Sequence, residues 1–476
     1  MIEKRQFYIN GAWVDPAQPR DMDVIDPATE EVCAVISIGD QADTDAAVAA
    51  AKAAFPAWAA TPLEERIALI RKLGEVYTAR RDDMAEAMRA EMGAPIDLAR
   101  GGQWGSGTWH IDGFLDALEG FEFERPYKDV DRIRLEPIGV CGMITPWNWP
   151  MNQVFLKAIP AMAVGCTMVL KPSEIAPLSS VLFAEMVDEA GFPAGVFNMV
   201  NGDGVGVGSQ LSAHPDVDMI SFTGSTRAGT AISKAAADTL KRVSLELGGK
   251  GANVVFADAD EKAVKRGVIH CMNNTGQSCN APTRMLVERS RYDEAVEQAK
   301  AAAEATQVGP TTESGRHIGP VVSELQYNKI QGLIEIGIKE GATLLAGGLG
   351  RPEGVNKGYY VRPTVFADVT PDMTIYREEI FGPVLAMTPF DTEDQAIEMA
   401  NDTVYGLTNY IQTEDPEKRL RMARAVRSGM VETNGIGRQL GSPFGGYGQS
   451  GNGREGGVWG IEEFCEIKAI SGCPWE

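Results

Sequence analysis

Three short segments hold residue types that are awkward in a purely structural role. The first is Ile144-Thr145-Pro146-Trp147-Asn148-Trp149-Pro150. Two tryptophans and two prolines around one asparagine make a rigid loop presenting an amide, and a rigidly held amide is a suitable oxyanion donor. The alternative is an aromatic turn in which Asn148 caps the following helix. The second segment is Arg242-Val243-Ser244-Leu245-Glu246-Leu247-Gly248-Gly249-Lys250. A carboxylate closing an apolar run is desolvated, which raises its pKa toward the range of a general base. The competing reading is a glutamate neutralised by a nearby Arg or Lys. The third is Asn273-Asn274-Thr275-Gly276-Gln277-Ser278-Cys279-Asn280. A thiol in a polar, glycine-containing stretch is better placed to react than Cys166, which in an apolar run reads as inert core; the competing reading is that Cys279, like most lone cysteines, is structural.

Other patterns are weaker. His270 and Cys271 are neighbours, but nothing sets an imidazole beside Cys279. Gly202-Asp203-Gly204-Val205-Gly206 is followed by Val207 and so lacks the dinucleotide fingerprint. The Gly224-Ser225 turn follows an apolar run and opens a helix, as a phosphate site does, without P-loop residues behind it. Seven cysteines with no C-x-x-C pair read as reduced thiols in a cytoplasmic protein, and no Cys or His pair has zinc-ligand spacing.

These residues need a scaffold, and the rest of the 476-residue chain describes one. From Gly139, strand-like runs at 140–144, 167–170, 196–200, 219–222 and 242–247 alternate with helical stretches near 151–163, 178–190, 205–213 and 226–240. That alternation predicts a right-handed parallel α/β sheet covered on both faces. A second α/β unit begins near 253–256. Ahead of them, Asn10-Gly11 between apolar triplets predicts a hairpin. A helix is expected over 43–54, and another running from a capping box at Thr61-Pro62-Leu63-Glu64 to about Tyr77. Strand-like text at 120–136 and 464–470 fits neither unit. With 44 Lys and Arg against 66 Asp and Glu, the formal charge is −22, which argues against nucleic acid or an anionic membrane as partner. The N-terminus lacks a signal-peptide core, and the most apolar stretch, 158–170, is too short to span a bilayer.

Taken together and in order, the segments resemble the NAD(P)-dependent aldehyde dehydrogenase superfamily, of the hydrolytic, non-CoA-acylating type. The likeness runs through YINGAW at 8–13, TPWNWP at 145–150, KPSE at 171–174, FTGST at 222–226, LELGGK at 245–250, GQSC at 276–279, EEIFGPV at 378–384 and SPFGGYGQSGNGRE at 442–455. The resemblance implies that Cys279 attacks the aldehyde as a thiolate. Asn148 and the Cys279 backbone N–H would hold the alkoxide, and Glu246 would activate water against the resulting thioester. Lys157 and Glu455 match positions that relay protons to solvent. Among cofactor residues, Lys171 and Glu174 match the pair on the adenosine ribose, and a glutamate there disfavours a 2′-phosphate, so NAD is expected over NADP. Ile144, Thr145 and Trp147 match the cofactor cleft, Gly204, Gly224 and Ser225 the pyrophosphate turns, and Leu247, Glu379 and Phe381 the nicotinamide end.

The implied fold is a Rossmann-type cofactor domain over 1–118 and 139–248, with an α/β catalytic domain over 249–458. A small β oligomerisation element over 119–138 and 459–476 would build a homodimer or homotetramer, with Glu466 meeting Arg242 and Arg454. The substrate entrance would be lined by Trp149, Leu156, Phe444 and Arg438. Trp109 and these residues suit a medium-chain or aromatic aldehyde. Arg438 would bind a distal carboxylate, as in a semialdehyde, unless it is paired with an acidic neighbour. The rival readings are a CoA-acylating relative, an inactive homologue kept for binding or structure, and an esterase using the same thiol. Retention of Glu246, Asn148, Cys279 and the cofactor residues weighs against them.

Overall fold

The chain begins with the hairpin Phe7–Ile9 and Ala12–Val14. Its turn residues Asn10 and Gly11 have φ of 52° and 73°, the doubly left-handed geometry that matches strand twist in a two-residue loop. The hairpin adds antiparallel to the edge of a seven-stranded sheet. The other five strands of that sheet are parallel, in the order Arg242–Glu246, Met219–Thr223, Val140–Ile144, Thr167–Lys171, Phe197–Met199. Four of them, Val140–Ile144, Thr167–Lys171, Phe197–Met199 and Met219–Thr223, are buried throughout, as a sheet covered on both faces requires. Ile144 pairs with both Lys171 and Phe222, and Thr223 pairs with Glu246, so these residues end their strands along one edge. The strand order reverses between Val140–Ile144 and Met219–Thr223, where open α/β sheets bind ligands.

A second seven-stranded sheet runs Thr343–Ala346, Thr364–Ala367, Val384–Phe390, Arg284–Glu288, Ala252–Val255, Thr408–Gln412, Met430–Thr433, parallel except at its first strand. The two strand-like regions outside the α/β alternation meet each other: Glu124–Tyr127 and Asp131–Pro137 pair antiparallel, and Cys465–Ser471 adds beside them. The computed structural model describes residues 1–473. The end of the expected 459–476 element, residues 474–476, lies outside the described residues. Among the described residues no helix is long and apolar enough to cross a membrane.

Several helices differ from expectation for local reasons. The first extends over Gln41–Ala60 because Asp40 and Asp43 form a reciprocal capping box ahead of it. The capping box expected at Thr61 does not form. Its hydroxyl instead donates to Ala57 O at 3.0 Å and closes the preceding helix, so Leu63–Ala79 starts behind Pro62 without a side-chain cap. The expected helix over 205–213 is split, a wide π turn at Gly204–Gly208 leading into Ser209–Ala213. The one over 226–240 tightens after Ala236 and stops at Leu240, whose φ is 54°.

Candidate active site

The loop after Val140–Ile144 carries Asn148 into the interior. Trp149, at φ −137°, precedes a helix that Pro150 opens, and Asn148 makes no cap to it. Its side chain turns to the cysteine segment instead, with Nδ2 donating to Gln277 O at 3.1 Å. Its carbonyl accepts from Gln103 Nε2 at 3.0 Å and Asn274 Nδ2 at 2.9 Å. The thiol segment is held as tightly. Asn274, Thr275 and Gly276 take φ of 51°, 57° and 72°, and left-handed backbone costs a non-glycine residue about 1–2 kcal/mol. Thr275 Oγ1 donates to Gly319 O at 3.0 Å and Gln277 Oε1 accepts from Val322 N at 2.9 Å, which anchors the strained turn. A Cβ at position 276 would strike the Gly382 carbonyl, so only glycine fits there. Gln103, Asn274 and Gln277 were not singled out by sequence reasoning as site residues; a polar residue facing a buried turn leaves no periodic signal.

Cys279 stands in a wall shared by two cavities. Burial, and then the charges of Glu379, Glu246 and Glu455, push its thiol up to about 12, so the resting group is protonated and needs a base. Glu246 ends its strand 2% exposed with neither carboxylate oxygen hydrogen-bonded. Its carboxyl is raised well above the ordinary range by burial and by Glu455. The paired-glutamate reading therefore fails. The side chain lies against glycines, its Oε1 2.6 Å from where a Cβ on Gly445 would sit and 3.1 Å from one on Gly453. Lys157, 1% exposed, donates to Thr223 Oγ1 at 2.7 Å and forms a buried ion pair with Glu455, whose other oxygen has no partner.

On one side of the thiol a cavity of about 220 Å³ is lined by Trp147, Asn148, Gly224, Ser225, Leu247, Glu379 and Phe381, among others. Glu379 Oε1 accepts from Gly249 N at 2.8 Å, and any Cβ on Gly248 would strike that carboxylate. Phe381, held at φ 57°, meets Trp147 edge-on at 5.5 Å. Gln326 Nε2 donates to Phe381 O at 2.7 Å and Lys329 Nζ to Glu379 O at 2.9 Å, two supports that sequence reasoning missed. Ser225 caps the helix Thr226–Ala236, leaving its first N–H groups at the cavity rim. Lys171 and Glu174 pair at 3.1 Å at the end of the neighbouring strand and do not line the cavity. Ile144 and Thr145 are buried near these groups, with Thr145 N donating to Lys171 O at 3.2 Å; neither lines the cavity, nor does Gly204, which opens the π turn. A cleft with a helix N-terminus at one end, a carboxylate–lysine pair beside it and an aromatic pair near the thiol fits a dinucleotide.

On the other side a tunnel of about 170 Å³ is lined by faces of two helices. Trp104–Leu118 contributes Ser106, Trp109, His110, Gly113 and Phe114; Trp149, Asn152, Gln153 and Leu156 follow the same i, i+3, i+4, i+7 spacing. Phe444, Arg438 and Glu455 complete it. All four expected entrance residues are therefore here. Arg438 is also compensated: its guanidinium stacks over Phe444 at 4.9 Å and faces Glu432 at 3.8 Å.

The chain matches the family model described as Aldehyde dehydrogenase family over residues 13–470. It belongs to the aldehyde dehydrogenase family. It is 50% identical over 474 residues, 99% of each chain, to a Pseudomonas protein named 3-succinoylsemialdehyde-pyridine dehydrogenase. Among solved structures, an aldehyde dehydrogenase from Bartonella henselae shares 61% identity and a TM-score of 0.99 over all of both chains. Aldehyde dehydrogenase C from Pseudomonas syringae, complexed with NAD+ and octanal, shares 47% identity and a TM-score of 0.97 over 99% of this chain and 98% of its own. In this aldehyde dehydrogenase one expected contact differs within the chain. Glu466 pairs with Arg242 at 2.8 Å, whereas within the chain the Arg454 guanidinium donates to Gly446 O and Gly453 O and stacks over Tyr447.

Proposed function

We propose that the chain oxidises an aldehyde to its carboxylic acid, with NAD as acceptor, through a thiohemiacetal and then a thioester on Cys279. The observation that carries this reading is the position of one thiol between two cavities, one suited to an aldehyde tail and one to a dinucleotide. Glu246, buried and free of any ion pair, takes the thiol proton, and sulfur bonds to the aldehyde carbon. The oxygen becomes an alkoxide between Asn148 Nδ2 and the Cys279 backbone N–H, donors fixed before reaction. NAD, when bound, accepts the hydride leaving that carbon. Once that first proton has passed outward, Glu246 removes a proton from water, whose oxygen attacks the thioester; the acid departs and the sulfur is restored. Lys157 and Glu455 carry the protons outward.

Glu174 beside Lys171 would repel a 2′-phosphate, which supports NAD over NADP. The NAD+ and octanal in the Pseudomonas syringae relative support the same cofactor and a medium-chain aldehyde. The Pseudomonas relative's name supports a semialdehyde joined to an aromatic ring, and Trp109, Phe114, Trp149 and Phe444 suit such a tail. The unpaired Glu246 favours water over CoA as the acyl acceptor. Residues 1–118 and 139–248 form the NAD-binding domain, which also lends Asn148, Lys157 and Glu246 to the chemistry; 249–458 form the catalytic domain with Cys279, and the three-stranded sheet near 119–138 and 459–473 serves the assembly of a cytoplasmic homodimer or homotetramer. The test is NADH formation with hexanal, benzaldehyde and succinic semialdehyde, with Cys279→Ala as control. Equal NAD reduction by that variant overturns the assignment of the nucleophile, and acyl-CoA formed on adding CoA overturns hydrolysis.

A further inference from the structure

Two carboxamides and an imidazole stand in the tunnel wall where an apolar passage has no use for them. His110 lies on Trp104–Leu118, and Asn152 and Gln153 on the facing helix Pro150–Val164. His110 Nε2 and Asn152 Oδ1 are 2.7 Å apart. With the imidazole as donor, Asn152 Nδ2 is left without a partner among the described residues and free to donate into the tunnel. Gln153 is 3% exposed, and its Oε1 is buried with no hydrogen bond. A buried amide oxygen left unpaired by its own protein is costly, and Gln153 is among the residues lining the tunnel, so a rotation of its side chain brings that oxygen to a ligand there.

The charges around these groups are already balanced. Arg438 faces Glu432 at 3.8 Å and covers Phe444, and Glu455 is paired with Lys157. Burial holds the His110 imidazole down to about 4, so it is neutral in ordinary working conditions. Of the carboxylates near the thiol only Glu455 lines the tunnel, so the charged groups in its wall are Arg438 and Glu455, both already partnered.

We propose that His110, Asn152 and Gln153 form a neutral hydrogen-bonding cradle that selects aldehydes bearing an uncharged oxygen or nitrogen function on the tail, such as a ketone, hydroxyl or amide. Plain alkanals leave the cradle unpaired, and aldehydes ending in a carboxylate meet no free cation. The proposal rests on the aldehyde-oxidising reading above and narrows its substrate class.

The test uses the whole enzyme with NAD and four six-carbon aldehydes: hexanal, a keto-hexanal, a hydroxy-hexanal and the semialdehyde ending in a carboxylate. One satisfied hydrogen bond corresponds to about tenfold, so kcat/KM for the keto and hydroxy compounds exceeds that for hexanal by about tenfold, with the carboxylate lowest. In the double variant Asn152→Leu, Gln153→Met the keto compound weakens, chiefly through KM, while hexanal improves severalfold. A structural defect lowers all four together and does not produce this crossing. Wild-type enzyme that prefers hexanal or the carboxylate overturns the cradle while leaving aldehyde oxidation standing. So does an equal loss on all four substrates in the variant. Oxidation of none of the four overturns the underlying reading, and the cradle with it. The wild-type comparison decides even if the variant does not fold.

Discussion

Phe444 and Glu455 face each other through two backbone hydrogen bonds of 2.8 Å, each donating to the other's carbonyl. One short bridge thus sets both an aromatic wall of the tunnel and the carboxylate that meets Lys157. Lys157 is fully enclosed, so removing either charge strands the other. Glu455→Ala or Lys157→Met is expected to destabilise the fold by about 3–5 kcal/mol, the usual cost of breaking a buried pair. Chemical denaturation checks this. The double variant Lys157→Met, Glu455→Leu should recover much of the loss while kcat stays low.

Glu246→Gln removes the base from both halves of the reaction. Its oxygens have no ion pair to lose, so folding should change little, but the thiol and the water both lose their base. Rapid mixing with aldehyde and NAD should show the first equivalent of NADH forming more slowly than in wild type. Steady turnover should fall about 10²–10⁴-fold, the range for a lost general base. A first turnover as fast as that of wild type would move thiol deprotonation to another group, and an unchanged steady rate would move deacylation as well.

Asn148→Ala removes one oxyanion donor and leaves the other, the Cys279 N–H. A fall of about 10²–10³ in kcat is expected, with a smaller change in KM, because the alkoxide exists only after attack. Asn148 Nδ2 also fixes Gln277 O, so a crystal structure of the variant should be compared for movement of the Gly276–Cys279 turn.

Much of this machinery was legible in the residues, for physical reasons that also mark where legibility stops. Asn10-Gly11 specified its hairpin because few other pairs accept φ above zero at both positions. The parallel sheet could be read because its strands alternate with helices at regular spacing. By contrast, the pairing of Asp131–Pro137 with Cys465–Ser471 spans more than 300 residues of chain and has no local signature. Thr61-Pro62-Leu63-Glu64 read as a cap because local spacing is blind to the preceding helix, which took the hydroxyl first. Cys279 and Asn148 stood out by local chemistry, but their junction through Gln277 and Asn274 is tertiary. The polar tunnel face was hidden differently: Trp149, Asn152, Gln153 and Leu156 carry a helical period, but only the facing His110 makes that face a wall.

Arg438 gives a prediction opposite to the distal-carboxylate expectation. Its guanidinium is half spent on Glu432 and half on the face of Phe444. Arg438→Ala should therefore lower kcat/KM for hexanal and succinic semialdehyde by similar factors, through looser packing of the Phe444 ring. A loss confined to succinic semialdehyde would restore the arginine as a carboxylate anchor.

Glu91 lines neither cavity beside the thiol and makes stability depend on pH. It is fully buried and accepts the backbone N–H groups of Leu178 and Ser179 at the start of Leu178–Ala190. Burial nevertheless dominates and pushes its carboxyl up from 4.5 to about 7. An acid whose folded pKa is raised holds its proton more tightly folded than unfolded. Below about 4.5 both states are protonated and nothing is lost. As pH rises from about 4.5 to about 7 the unfolded chain ionises more readily, so stability falls, by about 3 kcal/mol in all from this group. Glu91→Gln stays neutral at every pH and keeps an oxygen for the helix start. Its unfolding free energy should therefore decline less than that of wild type between pH 5 and pH 8, in paired denaturation curves. Parallel declines in the two proteins would mean that the helix N–H groups hold Glu91 ionised in spite of its burial.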